Sequence, residues 1–231
     1  MQAIIIITLL IILILLLWSN TAKYKGKSGE KIVANYLDAI QGEKRLIHNV
    51  ILEENGKTRQ IDHIAITEHG VFVIETKNYA GSIYGKEFSD EWKQYLNQKI
   101  FTLFNPIRQN AAHTKLVKTI VEQETKQVYA IVVFTRRCTL KVQTVTPVLY
   151  DIQVASYINH MPMVLSGEQI EKIEKLLLKY KITDPQWVKN HTKSVQQKNE
   201  QRQQKIQQRK CPACDGDLKV RFGKNGYFFR M

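Results

Sequence analysis

Two turn signals set about a dozen residues apart constrain this chain more than any other feature. Asn55-Gly56 is a strong hairpin signal. Thr67-Glu68-His69-Gly70 marks a second tight turn. Three apolar runs flank them, about Leu46–Leu52, Thr58–Ile66 and Val71–Lys77, and read as an antiparallel meander. Pairing Ile66 with Val71 sets the simplest register, and it places Asp62 directly opposite Glu75. Opposed residues share a face, with Cβ atoms about 5 Å apart. Lys77, two positions past Glu75, shares that face, and Thr76 points the other way. Gln60, two positions before Asp62, is expected on the acidic face as well. Facing carboxylates repel unless a cation or a proton stands between them, or water screens them. Ile61, Ile64, Ile66, Val71, Val73 and Ile74 make the surroundings apolar, where an unpaired charge is costly.

Around the meander the chain alternates helical and extended patterns. Ser28–Ile40 carries Ile32, Val33, Tyr36, Leu37 and Ile40 at helical spacing, with Ser28 as a cap and Glu30 in the first turn. Taken alone, Glu30 is a favourable charge at a helix amino terminus. Asn78–Asp90 reads as a loop with a short strand at Ser82-Ile83-Tyr84, and Trp92–Phe104 as the beginning of helical structure. Asn105-Pro106 opens a further helix. Gln109 and His113, four apart, share one of its faces. The ordinary reading of that pair is a polar surface stripe, and of His113 a hydrogen-bonding or surface residue. Gln127–Thr135 is a β-branched strand of central character, ending on Arg136-Arg137. Thr144–Tyr150 reads as another strand, and Ser166–Gln169 as a capping box opening an amphipathic helix to Tyr180. The class is α/β with a mixed sheet.

Gly29-Glu30, Gln60-Ile61-Asp62-His63, Ile74-Glu75-Thr76-Lys77-Asn78-Tyr79 and Asn105-Pro106 with Gln109 resemble the nuclease-related domain of the PD-(D/E)xK nuclease superfamily, over roughly residues 26–135. The resemblance implies a restriction-endonuclease-like αβββαβ core and metal-assisted phosphodiester hydrolysis. It makes Asp62, Glu75 and the Thr76 carbonyl ligands of Mg²⁺ or Mn²⁺, and Glu30 a helix-borne acid for a second ion. Lys77 is implied as the group that positions or deprotonates the attacking water. Gln60 and Gln109 are implied as nucleic-acid contacts.

The two ends differ from this centre. Ala3–Trp18 is sixteen apolar residues broken only by Thr8. That is slightly under the roughly 20 that cross a bilayer, and Trp18 suits an interface. No basic residue precedes the run, Trp18-Ser19-Asn20 is a poor cleavage site, and the run has no polar stripe. An uncleaved anchor is therefore preferred to a signal peptide or a core helix. Lysines follow the run, so the bulk of the chain is expected on the cytoplasmic side of the cell membrane.

The formal charge is +13, yet residues 32–186 hold nineteen basic against seventeen acidic side chains. Residues 187–231 hold eleven against three, so the excess is concentrated in the tail. Residues 187–210 form a Gln- and Lys-rich linker, either a solvated helix or disordered. Three cysteines make no disulfide scaffold and fit a reducing compartment; Cys138 reads as structural.

Residues 211–231, with Cys211-Pro-Ala-Cys214 and a basic-aromatic run, resemble the start of a topoisomerase-type four-cysteine zinc ribbon. The second cysteine pair is missing before Met231. A structural Zn²⁺ wants four ligands. Truncation with weak metal binding, a zinc shared between two chains, and no metal are the readings left. Lys219, Arg221, Lys224, Tyr227 and Phe228 suit phosphate contacts and base stacking. Anionic lipid is the competing partner for a basic tail.

The expected organisation is an anchor at 1–20, the nuclease-related domain at 26–150, and its carboxy-terminal part with a helix at 151–186. The linker and the ribbon-like segment follow. The expected function is a membrane-anchored, metal-dependent nuclease acting on nucleic acid, DNA foremost. Its alternative is a non-catalytic nucleic-acid-binding or membrane-tethered module on the same scaffold.

Overall fold

The computed structural model describes residues 26–184 and, beyond them, 201, 204, 205, 208, 210, 216, 217, 219–223 and 226–230. The expected anchor at 3–18, the cysteines Cys211 and Cys214, and Lys224 lie outside the described residues. Among the described residues no helix is long and apolar enough to cross a membrane. The chain divides into two compact units, 1–181 and 182–231.

The first unit begins with helix α1 (26–37). The helix is already formed at Gly26, so Ser28 lies inside it and is not its cap. Strands β1 (Lys44–Glu54), β2 (Lys57–Thr67) and β3 (Gly70–Lys77) follow as the expected meander. Asn55 and Gly56 both have positive φ, the geometry a two-residue hairpin turn needs. Ile66 pairs with Val71 and His63 with Ile74, the register read from the sequence.

Strands β4 (Gly81–Lys86), β5 (Glu91–Leu96) and β6 (Lys99–Phe104) come next. The expectation of helix at Trp92–Phe104 is thereby overturned. Asn97 and Gln98 both take positive φ and close a β5–β6 hairpin, with Leu96 paired to Lys99. Helix α2 (Pro106–Val121) starts at Asn105, whose side chain accepts the Ile107 N–H. Then come β7 (Val128–Phe134), β8 (Cys138–Gln143) and β9 (Val148–Tyr150). A short 3₁₀ turn (Asp151–Gln153) leads into α3 (Val154–Asn159), and α4 (Gly167–Lys179) carries the expected capping box on Ser166 and Gln169.

The main sheet has the order β1-β2-β3-β7-β9, antiparallel through the meander and parallel from β3 onward. Helices cover both sides. Val33 and Leu37 of α1 and Val154 and Ile158 of α3 pack on one face with Phe72 and Ile74. Leu116 and Val117 of α2 and Ile170 and Leu177 of α4 pack on the other with Val71 and Val73. Strand β3 is buried on both faces as far as Thr76, as a central strand in such a sandwich must be. Each fully buried Ile or Val there contributes about 1.5–3 kcal/mol.

A second sheet has the order β6-β5-β4-β8. Its inner side packs Ile83 and Trp92 against Ile107, Val132 and Phe134. The two sheets share a ribbon. Strands β3 and β7 run parallel, and so do their continuations β4 and β8, with the same offset at Val71↔Val128 and at Lys86↔Gln143. The connections Asn78-Tyr79-Ala80 and Thr135-Arg136-Arg137 are equally long.

In the second unit β10 (Lys219–Gly223) and β11 (Gly226–Arg230) pair as an antiparallel hairpin. Lys210 bridges Asp217 ahead of it.

Candidate active site

Helix α1 and strands β2 and β3 carry the sequence-derived acids, and α2 brings Gln109 and His113 beside Glu75 and Lys77. The β2–β3 ladder ends at His63↔Ile74. The next pair in line is Asp62 and Glu75. Here Asp62 Oδ2 accepts the Thr76 N–H at 2.8 Å, so the carboxylate closes the end of the ladder. Thr76 is buried, with its hydroxyl unpartnered and its N–H committed to Asp62.

Glu75 is 2% exposed. Its Oε1 receives Lys77 Nζ at 2.6 Å, while its buried Oε2 has no hydrogen-bond partner. Lys77 Nζ also donates to Gln109 Oε1 at 3.1 Å. Helix α2 thus delivers Gln109 to the site, where it meets Lys77 and is not simply part of a polar stripe facing water. Asn110 holds the helix in place by donating to the carbonyls of Val73 and Ile131, both at 2.9 Å.

Each ionisable group is perturbed for an identifiable reason. Burial, then the charge of Glu75, pushes Asp62 up to about 7. Burial raises Glu75, against the pull of Lys77. Burial works against the Lys77 charge, but Glu75 outweighs it and the ammonium is held above its ordinary range. Burial, then Asp62, raises Glu30, which is half-buried on α1. A Cβ built on Gly29 would stand 2.6 Å from Asn78 Cβ, so only glycine lets α1 come this near the end of β3.

Sequence reasoning missed two contributors. His113, read as a surface or hydrogen-bonding residue, is buried, with Nδ1 3.5 Å from Glu75 Oε2. That separation is too long for a good hydrogen bond, and neither atom has another partner. Burial, then Arg59, lowers His113 to about 4, so it is neutral. Its spacing of four from Gln109 was the available signal. Asn78 joins the strand ends: its Oδ1 accepts from the Thr135 hydroxyl at 2.7 Å and from Arg137 at 3.4 Å.

Gln60 is exposed and donates to Asn49 at 2.8 Å. Asn49 has φ 47, and the pair Asn49/Asp62 is absent from the β1–β2 ladder. Ile61 and Ile64 lie in the same cluster, so the alternation that would align Gln60 with Asp62 is interrupted here. Arg136 is engaged by the buried Asp151 at 3.1 Å and by the Tyr36 hydroxyl at 2.9 Å. It helps to line a cleft of about 610 Å³ between α1 and the end of β7. Cys138 is a buried free thiol pushed up to about 11 by burial, as a structural cysteine should be.

Within the Asp62–Glu75 pair two oxygens remain for a cation: Glu75 Oε2, and the Asp62 oxygen that Thr76 leaves open. Among the described residues no group of three or more His, Cys, Asp or Glu converges on a metal position. Two hard carboxylates with open coordination suit Mg²⁺ or Mn²⁺, an ion that keeps several of its waters.

Glu75, buried, and Asp62, partly buried, meet Lys77 where the β2–β3 ladder ends on a mixed α/β core, and comparison with known proteins shows the family of that core. The family described as the nuclease-related domain matches residues 25–135. An uncharacterized protein of Bacillus anthracis is 36% identical over 205 residues, covering 84% of this chain and 95% of that protein. The chain belongs to the nuclease-related domain family. Among solved structures, SfsA of Pyrococcus furiosus in complex with Ca²⁺ is similar at 15% identity and a TM-score of 0.27. The similarity covers 69% of this chain and 54% of SfsA. A likeness that slight carries no argument.

Proposed function

We propose that this protein is a Mg²⁺- or Mn²⁺-dependent nuclease that hydrolyses nucleic-acid phosphodiesters. One observation carries the reading: Glu75 presents a buried oxygen without a partner beside Asp62, with Lys77 clamped between Glu75 and Gln109. Asp62 and Glu75 would hold the ion, with the Thr76 carbonyl and Glu30 in support. A divalent ion bound there supplies Lewis acidity toward a phosphate oxygen and a lowered pKa for bound water. Lys77 keeps its proton and offers charge to the phosphate as negative charge builds there. Gln109 fixes the direction of the Lys77 ammonium. His113, neutral and buried, lies against the inner oxygen of Glu75.

The segment 3–18 anchors the chain in the cell membrane with its bulk on the cytoplasmic side. The tail, through Lys219, Arg221, Lys224, Tyr227 and Phe228, adds nucleic-acid affinity. Zinc at Cys211 and Cys214 needs two further ligands from elsewhere.

The test is a cleavage assay on the full chain in mild detergent, with single- and double-stranded DNA and RNA, in Mg²⁺, Mn²⁺ or EDTA. Metal-dependent cutting that disappears in Asp62→Ala supports the reading. Binding without cutting under every condition would replace it by the non-catalytic module.

A further inference from the structure

The outer face of the second sheet carries exposed aromatic rings that the proposed chemistry does not use. Its strand register places side chains in rows. One row runs Thr102, Lys93, Tyr84, Lys141 across β6-β5-β4-β8, and the next runs Ile100, Tyr95, Ser82, Thr139. Partners in a ladder share a face, so both rows look outward together. The opposite side of the same strands holds Ile83, Trp92 and Gln94, which are buried.

The outward rings are accessible and ordered by their neighbours. Tyr84 is 38% exposed and Tyr95 45%. Their rings meet edge to face at a centroid distance of 4.9 Å. Lys141 Nζ donates to the Tyr84 hydroxyl at 2.9 Å and lies 5.1 Å from its ring centre. Lys93 Nζ donates to Thr102 Oγ1 at 2.7 Å. Lysines therefore flank the tyrosine pair on both sides, and Lys86 is exposed on the same strand as Tyr84. Glu91, 3.5 Å from Lys93, is the acid on this stretch of β5.

We propose that this face is a platform for single-stranded nucleic acid, with bases stacking on Tyr84 and Tyr95 and phosphates held by Lys93 and Lys141. Paired bases hide their faces, whereas an unpaired strand can lay them on exposed rings, and lysine charge beside the rings matches its backbone. Only Asn78, Tyr79 and Ala80 separate Lys77 from the first residue of β4. Four Cα steps span at most about 15 Å, so the sheet that carries the platform begins within that distance of Lys77. The inference deepens the nuclease reading by naming a single-stranded substrate, and it rests on that reading for the use of the face, not for the binding.

The experiment uses the full chain in EDTA, so that binding is read without cutting. Fluorescence anisotropy with labelled oligodeoxynucleotides and oligoribonucleotides compares wild type with Tyr84→Ala, Tyr95→Ala and the Phe replacements. Each Ala variant should lose about tenfold in single-strand affinity, and each Phe variant should keep it. Lys93→Ala with Lys141→Ala should lower the slope of log affinity against log salt by about 1.4. An iodouracil-substituted oligonucleotide should photocross-link to Tyr84 or Tyr95. Unchanged affinity in well-folded Ala variants, with cross-links confined to residues 219–230, overturns the platform. So does a dimer that the Ala variants dissolve without loss of binding, because the face is then a contact between copies through Ile100 and Phe104. Platform binding without cutting in Mg²⁺ would sink the hydrolase and keep the platform; cutting with unaltered binding would do the reverse.

Discussion

Replacing Asn105 should cost more than any surface residue of its kind, and the cost divides into two measurable parts. Asn105 is fully buried. Its Oδ1 accepts the Ile107 N–H at 2.9 Å and caps α2. Its Nδ2 donates to the Glu87 carbonyl at 2.9 Å and the Ser89 carbonyl at 2.7 Å, stitching the β4–β5 loop to the helix start. Loss of a cap costs about 1 kcal/mol. Loss of the two donated bonds costs about 1 kcal/mol each, more where a carbonyl is left without water. Asn105→Ala should thus destabilise by about 3 kcal/mol, which lowers the melting temperature by about 6–12 °C in a domain of this size. Asn105→Ser keeps a capping oxygen but loses the donor, and should recover about 1 kcal/mol of that loss. Thermal melts followed by circular dichroism read both. The reasoning fails if Ala costs less than about 0.5 kcal/mol, or if Ser and Ala are indistinguishable.

Further outcomes can be stated briefly. Lys77→Ala should reduce cleavage by at least about a hundredfold in a single-turnover assay, with its circular dichroism spectrum unchanged. Gln109→Ala, which leaves Lys77 on Glu75 but removes its second partner, should reduce cleavage by a smaller factor, about tenfold. Gly29→Ala should destabilise by about 1–3 kcal/mol in urea titration, because the added methyl meets the root of the Asn78 side chain and not a flexible tip.

Acid should weaken the fold through His63. This residue is 1% exposed, and burial, then His48, lowers it to about 3. A histidine that takes up its proton less readily in the folded chain contributes stability that is present above its unfolded pKa. That contribution is lost as pH falls below about 6.5, by about 2 kcal/mol between pH 7 and pH 5. His63→Gln should flatten the dependence in that window; an equally steep profile would count against the assignment.

The meander and its register were legible because their determinants are local. Asn55-Gly56 and Gly70 tolerate the positive φ that tight turns require, and the apolar runs fix which face is buried. The acidic pair followed from that register alone. The β5–β6 hairpin was not legible: Trp92, Leu96, Ile100 and Leu103 recur at helical spacing, and Asn97-Gln98 lacks the glycine that usually marks such a turn. Strand β8 escaped notice because Cys138–Gln143 is stabilised by pairing with β4, far away in sequence. The break at Asn49 has no sequence signal beyond the tolerance of asparagine for positive φ. The roles of Gln109 and His113 appear only once α2 docks, since helical spacing shows that two side chains share a face but not what the face meets.

The shared ribbon of the two sheets sets a rule for insertions. Because β3–β4 and β7–β8 keep one offset across both sheets, the two three-residue connections between them must match in length. One residue added after Tyr79 alone would leave β3 in register and throw every β4–β8 pair out by one, turning Ile83 toward water and Tyr84 toward the core. The same addition made after Arg136 as well would restore the pairing. The chain therefore tolerates length changes at this joint in twos or not at all, although its two halves lie more than fifty residues apart.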